Sequence, residues 1–170
     1  TGNYNTAIGA NSLYNNTTGV ENSAIGYYSS YSGKTGIENV SMGTYSLYSN
    51  VSSSYNTALG SYSLFSAVSA SNTAVGNRAL FLNTTGGDSA FGFEALRANT
   101  LGIENVAMGN SALRSNVTGN YNTAVGYLAL YTNTTSSGNT GFGNRALNAN
   151  TSGANNTAIG YRSSILNTTG

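Results

Sequence analysis

Ten glycines stand at near-constant intervals along this chain of 170 residues: Gly9, Gly26, Gly43, Gly60, Gly76, Gly92, Gly109, Gly126, Gly143 and Gly160, spaced by 17, 17, 17, 16, 16, 17, 17, 17 and 17. A period of this size marks a repeat architecture, in which one short unit buries apolar surface only by stacking on copies of itself. The consensus is Asn-Thr-Ala-(Ile/Val)-Gly-x-x-(Ser/Ala)-Leu-(Tyr/Phe)-x-Asn-Thr-Thr-Gly-x-x, and ten copies fill residues 1–170 as a single array. The expected object is a rod rather than a globule.

Around each glycine the residues alternate, with Thr6 and Ile8 on one face and Ala7 on the other, which is strand grammar. A helix would need an apolar stripe over ten or more residues, and each unit is interrupted by glycine. The pattern predicts an all-β fold, a parallel β-solenoid of ten coils of about 17 residues, with a strand before each glycine and a second short strand through segments such as Ser46-Leu47-Tyr48 and Ala129-Leu130-Tyr131. Strands stacked about 4.8 Å apart give a rod of roughly 45–50 Å. Both 16-residue intervals lose their residue after the turn asparagine, so length varies only in a connecting turn.

Two large columns are expected to form the core. One is Ile8, Ile25, Met42, Leu59, Val75, Phe91, Met108, Val125, Phe142 and Ile159; the other is Leu13, Leu47, Leu64, Leu80, Leu96, Leu113, Leu130 and Leu147, interrupted by Ser30 and Ser164. Two such columns fall short of the apolar burial that ordering seventeen residues demands. The small column facing the other way, Ala7, Ala24, Ser41, Ala58, Ala74, Ala90, Ala107, Ala124, Gly141 and Ala158, is therefore expected to take the close approach of another copy, most simply in a homotrimer.

Charge is sparse, with six Lys or Arg against five Asp or Glu, and the near-zero balance argues against electrostatic capture of nucleic acid or an anionic membrane. No apolar run approaches the ~18 residues of a membrane span. Neither cysteine nor histidine is present, and the only carboxylates are Asp88, Glu94, Glu21, Glu38 and Glu104, so no catalytic group, metal site or cofactor is expected. Glu21, Glu38 and Glu104 share one turn position with Tyr4, Tyr55 and Tyr121 and read as a solvated column. The termini close on Thr-Gly and Thr-Thr-Gly, in phase with the repeat. This suggests a segment of a longer fibre, or a subunit that stacks end to end into a filament.

Two sets of residues are candidates for a site. Asn16, Asn50, Asn83, Asn116, Asn133, Asn150 and Asn167 each open an Asn-x-Ser/Thr sequon and are either glycan acceptors or, with Asn99, an amide ladder running from coil to coil. Tyr14, Tyr31, Tyr48, Phe65, Phe81 and Tyr131 stand five residues past their glycines, with Arg97 and Arg114 continuing the column. They are opposite in parity to the leucines, so they should point outward. Stacked aromatics on a neutral rod suit carbohydrate contact, or else they shield the sheet by stacking on one another. Tyr27, Tyr28, Tyr45 and Tyr62 thicken this surface over the first four coils.

The unit Asn5 to Gly9, repeated at Asn156 to Gly160 and with Val at Asn122 to Gly126, resembles the head repeats of trimeric autotransporter adhesins. It resembles still more the Asn-Thr-Ala-(Ile/Val)-Gly and Asn-Thr-Thr-Gly arrays of phage and giant-virus tail-fibre-like proteins and bacterial surface proteins. The resemblance covers all ten units and implies a left-handed parallel β-roll in a trimer, placed outside the cell, on its surface or on a virion, holding or forming a receptor-binding surface. The adhesin heads use a shorter repeat, near fourteen residues. The expected function is a rigid shaft for attachment, with cell-surface carbohydrate as a partner. An ice-binding solenoid is the rival, weakened because the threonine column Thr6, Thr57, Thr73, Thr123, Thr140 and Thr157 is broken by Ser23, Val40, Ser89 and Val106 and shares parity with the apolar column expected to be buried.

Overall fold

A computed structural model describes residues 2–169. Ten three-residue strands, β1 (Thr6–Ile8), β2 (Ser23–Ile25), β3 (Val40–Met42), β4 (Thr57–Leu59), β5 (Thr73–Val75), β6 (Ser89–Phe91), β7 (Val106–Met108), β8 (Thr123–Val125), β9 (Thr140–Phe142) and β10 (Thr157–Ile159), form one parallel sheet in sequence order. Pairing is in register, like residue over like: Ala7 on Ala24, Ile8 on Ile25, Ile25 on Met42. The chain is a β-solenoid with one strand per coil.

Register survives the two shorter coils, where Ala58 pairs with Ala74 and Ala74 with Ala90. The missing residue is absorbed in the turn. Asn83 bonds to the carbonyl of Thr85, two residues on, whereas Asn116 bonds to that of Gly119, three residues on. The first short coil leaves a mark inside, where the Nδ2 of Asn56 is buried without a hydrogen-bond partner.

The second strand expected through Ser46-Leu47-Tyr48 and Ala129-Leu130-Tyr131 is a turn. Inter-coil bonds still run there, as Leu47 N–H to the Ser63 carbonyl at 2.9 Å and Ser49 N–H to the Phe65 carbonyl at 3.0 Å. However, Tyr45 and Leu47 have φ of 55° and 52°, and the same left-handed geometry recurs at the equivalent positions of the other coils. Such residues cannot extend into a strand.

The core is inverted relative to the sequence expectation. Ala24, Ala58, Ala74, Ala90, Ala107 and Ala124 are fully buried, packed inside the coil with the leucines from Leu47 to Leu147. The column from Ile8 to Ile159 faces outward, with Met42 at 48%, Phe142 at 53% and Ile8 at 58% exposure. A coil of 17 residues closed by tight turns has an interior too narrow for a leucine and a second large side chain, so the strand must turn its smallest residue inward. The alanine column is therefore spent within the coil and offers no seam to another copy.

The rest of the interior is amide. In one ladder the Oδ1 of Asn22 accepts from the backbone N–H of Asn39 at 3.0 Å and from its Nδ2 at 3.0 Å, and Asn39 repeats the backbone contact to Asn56. A second ladder runs Asn83, Asn99, Asn116, Asn133, Asn150, each Nδ2 donating to the preceding Oδ1 at 2.9–3.1 Å. These amides supply the partners that buried turn backbone requires. Where the alanine column becomes Ser41, Ser29 answers it with a hydroxyl contact of 2.7 Å and meets Ser46 at 3.0 Å.

Candidate binding surface

Two surfaces stand out, and both are built by register. On the sheet face, every strand sends its first and third residues outward, so a column of threonines, interrupted by Ser23, Val40, Ser89 and Val106, runs beside the Ile/Met/Phe column across the ten strands. The outer column of large apolar side chains is thus continuous along the sheet, with Met42, Phe142 and Ile8 about half exposed.

The second surface is the corner between the positions two and five residues past each glycine. Tyr14, Tyr31, Tyr48, Phe65 and Phe81 stack at ring-centroid distances of 5.2–5.4 Å with interplanar angles of 4–15°. Beside them Tyr28, Tyr45 and Tyr62 stack at 5.5 and 5.2 Å, and the two files touch at Tyr28 to Tyr31, 4.8 Å apart. The inter-coil spacing of about 4.8 Å lets flat rings fill it. The ring faces are thus turned to one another, leaving edges and hydroxyls to solvent. Tyr131 lies outside this stack, with the Arg114 guanidinium 5.9 Å over its ring.

Where the rings end, charges take over. Glu94, only 8% exposed, receives Arg114 Nε at 2.6 Å and Arg97 Nε at 3.3 Å, with Arg78 Nη1 at 3.8 Å. Each arginine also lies over a ring: Arg78 over Tyr62 at 6.0 Å and Arg97 over Phe81 at 5.8 Å. The Glu94 carboxylate holds the Arg114 guanidinium above its ordinary range. Sequence reading missed this cluster because Glu94 and Arg78 occupy a position that is tyrosine in earlier coils. Placing that position and the Arg97 position on one corner needed the fold.

A second unforeseen group is Asp88, which replaces an asparagine in the first ladder and is fully buried. Its Oδ1 accepts from the Asn105 backbone N–H at 2.9 Å and Asn105 Nδ2 at 3.2 Å, and its Oδ2 accepts from Asn99 Nδ2 at 2.9 Å. Burial outweighs these bonds and pushes the carboxyl up to about 6.

Among the sequon asparagines, Asn50, Asn83, Asn116, Asn133 and Asn150 are buried within the ladder, where a glycan has no room. Asn16 and Asn167 lie in the end coils and are half-buried. Glu21, Glu38 and Glu104 are exposed on a different turn. Among the described residues no three His, Cys, Asp or Glu side chains gather to hold a metal, and no helix is long and apolar enough to cross a membrane. Compared with known proteins, the chain matches no family model, no curated sequence and no solved structure.

Proposed function

We propose that the chain is a structural attachment module: a trimeric β-solenoid fibre of the adhesin-head or tail-fibre type, extracellular or virion-borne, that displays one surface chemistry many times along a shaft and performs no catalysis. The observation that carries this reading is the outward Thr/Ile face. Three such faces turned toward a common axis enclose a prism filled by Ile25, Met42, Leu59, Val75 and their column mates, supplying the burial that a single narrow coil lacks. The seam is thus the Ile column, and the aromatic corner remains free for a receptor. Regular columns make binding multivalent, so weak contacts to cell-surface carbohydrate add along the shaft.

Light scattering on the purified chain tests this, with three times 17.4 kDa expected. A monomeric mass at tens of micromolar would refute the trimer, and absence of binding to a glycan array or to whole cells would refute attachment. One observation favours a second reading. Because the threonine column faces solvent, the objection to an ice-binding solenoid from shared burial falls away, and thermal hysteresis of the soluble chain would establish that alternative.

A further inference from the structure

The near-zero net charge conceals a segregation. All five arginines, Arg78, Arg97, Arg114, Arg145 and Arg162, stand on the two columns of the aromatic corner, in coils 5 to 10. The only acid on these columns is Glu94; Glu21, Glu38 and Glu104 lie on a separate turn, and Asp88 is inside. Five arginines against one glutamate leave four positive charges uncompensated along roughly 24 Å of corner.

The densest part is already organised. Three guanidiniums converge on one carboxylate, so at most one is neutralised, and Arg97 Nε is buried and makes no hydrogen bond despite its 3.3 Å approach to Glu94. The side chains of Arg78, Arg97 and Arg114 keep 47%, 32% and 31% exposure. Arg145 and Arg162, further along and without an acid beside them, lie 5.9 Å over Tyr127 and 5.1 Å over Tyr161. Guanidiniums resting on rings have lost much of their rotamer freedom before any ligand arrives, and their forks match carboxylates in two parallel bonds.

We propose that this corner binds an acidic polysaccharide, a linear polymer bearing a carboxylate on its sugars, with Arg78, Arg97 and Arg114 as the principal site and Arg145 and Arg162 as its continuation. Nucleic acid is the poorer fit. Single strands gain affinity by stacking bases on open ring faces, and here those faces are covered by neighbouring rings and guanidiniums. The hydroxyls of Tyr62, beneath Arg78, and of Tyr131, which accepts from Arg114 Nη1 at 3.3 Å, give the site two polar groups for sugar hydroxyls. In biological terms the inference rests on the attachment reading above, whose receptor class it names.

The test is binding of the intact chain to immobilised polygalacturonate, with neutral dextran and single-stranded oligothymidylate in parallel. Binding to polygalacturonate that weakens as salt rises is expected. R97Q/R114Q should lose at least tenfold, and R97K/R114K, which keeps the charge but not the fork, should fall between. E94Q, which frees the guanidiniums, should bind more tightly by several-fold. Unaltered far-UV circular dichroism separates lost binding from lost fold, and R145Q/R162Q, away from Glu94, gives an independent reduction. Equal binding of polygalacturonate to wild type and R97Q/R114Q overturns the proposal, as does oligothymidylate binding of equal strength. Binding to dextran alone overturns it while leaving carbohydrate attachment intact.

Discussion

Replacing Asp88 by asparagine should stabilise the solenoid at neutral pH and leave it nearly unchanged in acid. Burial raises the carboxyl from an ordinary 3.8 to about 6, a difference worth about 3 kcal/mol. The folded state holds the proton more tightly than the unfolded chain does. The stabilising contribution is therefore fully present below about pH 4, is lost as pH rises toward 6, and is absent at pH 7. The structural reason lies in the ladder: Asn105 and Asn122 donate their Nδ2 to the carbonyls of Gly119 and Ser136, fourteen residues on, and an ionised aspartate has no proton to give at that place. A protonated Asp88 or an asparagine does. Urea unfolding of wild type and D88N at intervals from pH 4 to pH 7.5 reads the effect as a difference between the two proteins, cancelling the titration of every other group. D88N should gain about 3 kcal/mol at pH 7 and close to none at pH 4. A difference that does not change with pH would refute the assignment of a buried, proton-binding carboxyl.

Other consequences follow from packing. In Gly109 (φ 140°) a Cβ would lie 2.6 Å from the Gly126 carbonyl oxygen and 2.7 Å from its carbon, whereas Gly160 (φ 118°) would meet nothing within 4 Å. G109A should cost more than about 3 kcal/mol and open the neighbouring coils to hydrogen exchange, G160A only the strain of about 1–2 kcal/mol; equal effects would show that coil contact is not the constraint. Ser30 sits buried in the leucine column beside a cavity lined by Leu13, Asn16 and Asn50. Because Ser30 already has the φ of 49° that the leucines adopt, S30L should raise the urea midpoint by the equivalent of about 1–2 kcal/mol. N116A should lose about 1–3 kcal/mol, since it leaves the Asn99 Oδ1 without a donor inside the coil and takes one of the two bonds of Asn133 Nδ2, which keeps only the Ser136 carbonyl. In the proposed trimer M108K, on the outward face, should reduce the mass to that of one chain with the coil dichroism unchanged. A trimer surviving that change would place the seam elsewhere.

The strands were legible because each depends on local alternation around a glycine whose backbone geometry other residues resist, and because identical units must stack like on like. The alternation sets Ser23 and Ile25 on one face and Ala24 on the other, and in the structure Ala24 is buried while its two neighbours are not. Hydropathy alone points to the wrong face as the inside, yet size carries the signal: the inward column varies only among Ala, Ser and Gly, while the column from Ile8 to Phe142 to Ile159 ranges widely in volume. A close-packed interior repeated ten times tolerates little variation in size, and a surface tolerates much. Neither the left-handed leucines nor the burial of Glu94 had a comparable local signal, since leucine disfavours positive φ and glutamate disfavours burial when each is taken alone.

By itself the sequence determined the period, the number of coils, the position of each strand and the identity of the stacked columns, because these depend on spacing. The tertiary structure alone decided which columns share a corner and which point inward. Those outcomes depend on the width of the closed coil and on where its turns bring residues such as Arg78, Glu94 and Arg114 together, and no residue's immediate neighbours in the chain encode either.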